Sequence, residues 1–171
     1  MDGGVEKKLS GSVAPVSDIR SPTPDIRYPT SVIRYVDLLG KEFRYGARGP
    51  DAYDCYGLII EVRKRAGLFT PANYASTDLP EVMHDSIEDA RKAFPFVELP
   101  APGPFCLVTF KLHPRYTTHI GMVLGDTNRF IHILPRMRVG IERLDSPSWR
   151  HRITGYWEIR TGFTAGDAAQ P

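Results

Sequence analysis

The chain has 171 residues, 42% hydrophobic and 25% charged, with 15 glycines and 15 prolines, the balance of one soluble domain with loop-rich margins. No run approaches the ~20 apolar residues that span a bilayer, and residues 1–10 lack the apolar stretch of a secretory signal, so synthesis in the cytoplasm without an export signal is expected. A net charge of +2 argues no nucleic-acid partner from the global balance, and two cysteines, Cys55 and Cys106, exclude a disulfide framework and a four-cysteine zinc site.

Residues 1–29 carry four prolines, a single aromatic (Tyr28) and balanced charges, too little apolar surface to offset ordering entropy, and are expected to be a flexible arm. Residues 30–161 form the folded unit, and 162–171 a flexible end. Thr30 and Ser31 can cap a short helix in which Val32, Ile33, Val36 and Leu39 recur at helical spacing before Gly40. Asp54 can cap a second helix with Leu58, Ile59, Val62 and Ala66 as its buried stripe, Glu61, Arg63, Lys64 and Arg65 toward water, and Gly67 as its stop. A third, more polar helix is predicted over 79–94, followed by a proline-rich loop over 95–104. The period then becomes strand-like over 106–110, 119–124, 129–134, 140–144 and 153–159. Helices followed by an antiparallel meander make an α+β layout.

Cys55 falls in the first turn of the second helix, where unpaired backbone N–H groups favour thiolate; that position admits a nucleophile or a small buried apolar side chain. Cys106, inside Cys-Leu-Val-Thr-Phe, reads as core. A thiol nucleophile needs a base, and the base an orienting group. His119 and His132 lie in neighbouring predicted strands joined by Gly-Asp-Thr-Asn. A two- or four-residue hairpin loop places Leu124 opposite Arg129 and His119 opposite Leu134, with His132 diagonal on the same face at ~7 Å. One thiol and two imidazoles are an incomplete zinc set, so metal ranks below catalysis and no cofactor is called for.

The run from Phe43 through Tyr45-Gly46-Ala47 to Asp54-Cys55-Tyr56-Gly57-Leu58-Ile59 resembles the nucleophile region of NlpC/P60 cysteine peptidases, usually Tyr-x-x-Gly-Gly followed by Asp-Cys-Ser-Gly-Leu. His119-Ile-Gly-Met-Val-Leu-Gly resembles the family's base-bearing strand and Phe130-Ile-His132 its orienting position, so the likeness spans roughly residues 31–160. It implies a papain-like α+β fold, N-terminal helices packed on an antiparallel meander, with Cys55 as nucleophile, His119 as general base and His132 as orienter. Tyr45, Asp54 and Tyr56 are the candidate substrate and oxyanion residues. Family members typically cleave amide bonds in peptidoglycan stem peptides.

Three departures stand out: Tyr56 replaces the usual Ser, Ala47 the second Gly, and Pro102-Gly103-Pro104 the usual Pro-Gly-Asp. An aromatic after the cysteine, together with the ending Ile141–Tyr156, resembles the branch found in phage tail-assembly and tail-tip proteins. That implies a virion component acting at the host cell wall during tail assembly or as the phage enters the cell. The competing readings are a structural tail protein with dormant chemistry and a bacterial wall-remodelling peptidase. Expected partners are stem peptides and other tail-tip proteins, the latter through residues 1–29 and an arginine-rich face over 129–152, where six Arg meet only Glu142 and Asp145.

Overall fold

The structure, a computed structural model, describes residues 33–71, 74 and 76–159. The expected arm 1–29, the caps Thr30 and Ser31, Val32 and the end 162–171 lie outside the described residues.

A short parallel pair, β1 (Glu42–Phe43) and β2 (Ala52–Tyr53), leads into helix α1 (Cys55–Arg65). Helix α2 (Pro80–Ala93) follows, and then β3 (Phe96–Leu99), β4 (Leu107–Phe110), β5 (His119–Val123), β6 (Arg129–His132), β7 (Gly140–Arg143) and β8 (Ile153–Ile159). These last six strands form one antiparallel sheet in the order β3-β8-β4-β5-β6-β7. This is the α+β, papain-like arrangement expected from the sequence.

Helix α1 starts where it does because the Asp54 carboxylate accepts from Gly57 N–H at 2.6 Å, and Arg63, Lys64 and Arg65 in its last turn suit the negative end of its dipole. Gly67, just beyond, has φ +67°, a conformation that glycine adopts without steric cost. Pro80 opens α2 in the first turn, where its missing N–H breaks no helical bond.

Apolar side chains cover both faces of the central strands. On one face Leu107, Ile120, Met122 and Ile131 pack with Leu58, Ile59 and Val62 of α1. On the other, Cys106, Val108, Phe110, Val123 and Phe130 pack under Leu144 and Trp149. Burial on both sides explains why β4 and β5 read as near-continuous apolar runs rather than alternating ones.

Three expectations need correction. The first helix is a single 3-10 turn, Val36–Leu38, and its stripe only partly holds: Ile33 is buried as expected, but Val36 and Leu39 are 74% and 39% exposed and Leu38 is buried instead. The chain leaves helical geometry because Gly40 N–H donates to Val139 O and Val139 N–H to Lys41 O, which tie this segment to the β6–β7 connection. The 95–104 loop contains strand β3, because its prolines bracket Phe96–Leu99 instead of interrupting it and β3 is an edge strand. Arg63 is not on the water side of α1 but 1% exposed, paired with the equally buried Glu158 of β8.

Candidate active site

The β5–β6 hairpin has the four-residue loop that sets the two histidines on one face. Leu124 N–H donates to Arg129 O at 2.7 Å, and Met122 and Val123 pair with Ile131 and Phe130. His119 Nε2 and His132 Nδ1 approach to 3.1 Å, a direct hydrogen bond between imidazoles rather than a water-bridged one. Both rings are buried, at 1% and 2% exposure. Trp149 stands edge-on to His132 with ring centroids 4.7 Å apart, Phe110 stacks on His119 at 5.6 Å, and Phe130 packs on His132 at 4.8 Å.

That aromatic housing decides the charge state. Burial, and then the neighbouring His132, hold His119 well below the ordinary imidazole range, and burial lowers His132 to about 4. Both rings are therefore neutral at neutral pH.

Cys55 opens α1, the helix that packs on β5 and β6. The helix start was expected to lower its pKa, but burial, with the adjacent Asp54 charge, pushes the thiol up to about 12. Backbone N–H groups of Tyr56 and Cys55 pull the other way and are outweighed. Among the described residues the thiol makes no hydrogen bond to either imidazole, so the structure brings His119 and His132 together but leaves Cys55 unlinked to them. Cys106 is buried at 0% exposure within the far-face core, and no disulfide joins the two cysteines.

Asp54 is fully buried and both carboxylate oxygens are committed inside the protein. Oδ1 takes Gly57 N–H, while Oδ2 takes Gly46 N–H at 3.0 Å, Ser76 O–H at 2.6 Å and the Arg48 guanidinium. Arg48 in turn donates to Tyr74 O at 2.8 Å. This network clamps the loop after β1 and the segment before α2 onto the first turn of α1. Tyr56 is buried as well: its hydroxyl donates to Pro71 O at 2.7 Å and its ring lines an apolar cavity of about 50 Å³ beneath α2. Asp54 and Tyr56 are both buried with their side chains hydrogen-bonded inside the protein, whereas Tyr45 is 46% exposed. The Tyr45 ring packs edge-on against Phe43 at 4.8 Å, and burial together with the charges of Asp78 and Cys55 raises its phenol.

The sequence reading missed Trp149, Phe110 and Phe130 as the walls around the histidines, and Arg48 and Ser76 as partners of Asp54. Phe110 and Phe130 were recoverable from strand parity, since both share a face with His119. Nothing local marks Trp149, which reaches the site from the loop between β7 and β8.

The profile of the NlpC/P60 family matches residues 40–158. Solved structures similar to the chain include NlpC1 from Trichomonas vaginalis, with 22% identity over 71% of this chain and 41% of that one and a TM-score of 0.50. An NlpC/P60 family protein from Bacillus cereus ATCC 10987 has 19% identity over 72% and 37%, with a TM-score of 0.51. A Staphylococcus aureus Mu50 protein of the NLP/P60 family, described as similar to lipoprotein, has 23% identity over 72% and 38%, with a TM-score of 0.49. The chain thus spans about two fifths of the length of these structures. No curated protein sequence matches it. With a family match over residues 40–158 and the expected two helices on an antiparallel sheet, the chain belongs to the NlpC/P60 family.

Proposed function

We propose that this chain is a thiol peptidase that hydrolyses amide bonds in peptidoglycan stem peptides, with Cys55 as nucleophile, His119 as general base and His132 as orienter. The observation that carries the reading is the 3.1 Å contact between His119 Nε2 and His132 Nδ1 inside a buried aromatic housing. It sets the tautomers. His119 can accept a proton at Nδ1 only if its own proton is on Nε2, donated to His132 Nδ1, and His132 then carries its proton on Nε2.

Thiol and imidazole are both neutral at rest, so the proton moves as the bond forms. Cys55 Sγ attacks the amide carbonyl while His119 Nδ1 takes the thiol proton. The oxyanion is met by the Cys55 backbone N–H and the Tyr45 hydroxyl, and collapse transfers the His119 proton to the leaving amine. Water, deprotonated by His119, then hydrolyses the thioester and restores the thiol. That transfer requires Cys55 Sγ and His119 Nδ1 to meet within hydrogen-bond reach in the substrate complex.

The setting we favour is a phage or phage-derived tail tip acting at the host wall, supported by Tyr56 in place of the usual Ser and by the likeness of Ile141–Tyr156 to that branch. Sacculus digestion followed by mass spectrometry of released muropeptides tests the chemistry. Wild type should release products, Cys55→Ala and His119→Ala none, and His132→Gln a measurable fraction, because an amide can still accept from Nε2–H. Release by Cys55→Ala equal to wild type would overturn the mechanism. An inert wild type would favour a structural tail role, which immunoblotting of purified particles would detect.

A further inference from the structure

In the arginine-rich stretch 129–152, three of the six arginines have ion pairs among the described residues. Arg129 pairs with Asp126, Arg138 with Glu42 at 2.9 Å and Arg143 with Asp145 at 2.6 Å. Arg136 is different. It is exposed, and among the described residues its side chain has no ion pair or hydrogen bond. The same holds for Arg44, ninety-two positions earlier in the chain. Both side chains line one groove with Phe43, Tyr45, Asp78 and Pro135.

Two features make the convergence more than a solvated surface. Arg136 has φ +65°, unfavourable for any residue with a Cβ, and is held there in a turn in which Met137 N–H donates to Leu134 O at 3.0 Å. The groove is also tied to the nucleophile. Tyr45 forms its aromatic wall, the next residue, Gly46, donates its N–H to Asp54, and Asp54 precedes Cys55.

We propose that Arg44 and Arg136 form an anion subsite on the approach to Cys55, which takes one carboxylate of a peptide substrate over the Phe43–Tyr45 wall. The proposal rests on the peptidase reading and adds to it a charge requirement on the substrate. Guanidinium forks match carboxylate geometry, and two of them with no ion pair among the described residues can turn to one ligand without breaking one. Asp78 lines the same groove and makes no ion pair with either arginine, so two positive charges face one negative and the surplus suits a single anion.

The test uses full-length Cys55→Ala, which binds without turnover. The probes are L-Ala-γ-D-Glu-L-Lys amides with the D-Glu α-carboxyl either free or amidated, and Kd is read by calorimetry. The free acid should bind roughly three- to tenfold tighter, the range for a charge-assisted contact at an exposed site. That preference should disappear in Arg44→Gln/Arg136→Gln, with an unchanged melting temperature because neither side chain supports the fold. Equal Kd for the two peptides, no binding of either at millimolar concentration, or a preference that survives in the double variant would overturn the subsite. If wild type fails to hydrolyse stem peptides while the arginine-dependent preference remains, the peptidase reading fails and the subsite stands. Hydrolysis without the preference removes the subsite alone.

Discussion

Cys55, His119 and His132 are kept neutral chiefly by burial, which raises an acid and lowers a base. The placement of Cys55 at a helix start was legible from Asp54 and the stripe behind it, but its charge state was not, because burial depends on how closely the sheet and the loops surround it. The histidines carry a stability consequence. In the unfolded chain each titrates near ~6.5, whereas in the fold His132 titrates at about 4 and His119 well below its ordinary value. The unfolded state therefore binds more protons as pH falls, so stability is intact above ~6.5 and is lost as pH drops toward 4. Urea unfolding at pH 7.0, 5.5 and 4.5 should show a loss approaching about 1.4 kcal/mol per pH unit for each histidine. Replacing His132 with Gln should remove about half of that slope, and an unchanged slope would show that His132 is not the group responsible.

At the scale of elements, helical periodicity misassigned a buried ion pair that joins α1 to the sheet. Arg63 falls on the water side of an idealised wheel, yet its five N–H donors are all used: two on Phe69 O, one on Phe105 O and two on Glu158. Glu158 is 2% exposed and comes from β8, ninety-five residues away, so no local pattern could announce the pair. Removing one partner leaves a buried charge uncompensated. Arg63→Met should therefore cost about 3–5 kcal/mol in denaturant unfolding. Arg63→Met/Glu158→Leu should recover only part of this, because the buried Phe105 carbonyl loses the Arg63 donor that the structure gives it. Full recovery would mean that the Phe105 carbonyl finds another donor. The strands and the β5–β6 register were more legible, since turn residues and parity act locally. By contrast, β3 was hidden by prolines that only an edge position tolerates.

For the whole molecule, the described residues of both apolar layers of the sheet lie between Ile33 and Trp157. A chain trimmed to 30–161 should therefore keep the melting midpoint of the full chain to within about 4 °C, the shift that corresponds to less than ~1 kcal/mol in a domain of this size. A larger drop in differential scanning calorimetry would show that the removed segments contribute to the core.

The sequence by itself determined the α+β class, the capped helix behind Cys55, the hairpin parity that pairs His119 with His132, and the family, because these follow from spacing and residue type over a few positions. Tertiary structure decided the rest: the neutral state of the site, the closure of Trp149 over the histidines, the Arg63–Glu158 pair, the confinement of Asp54 and Tyr56, and the meeting of Arg44 with Arg136. Each depends on burial or on contacts between segments far apart in the chain, which are set only when the sheet is assembled.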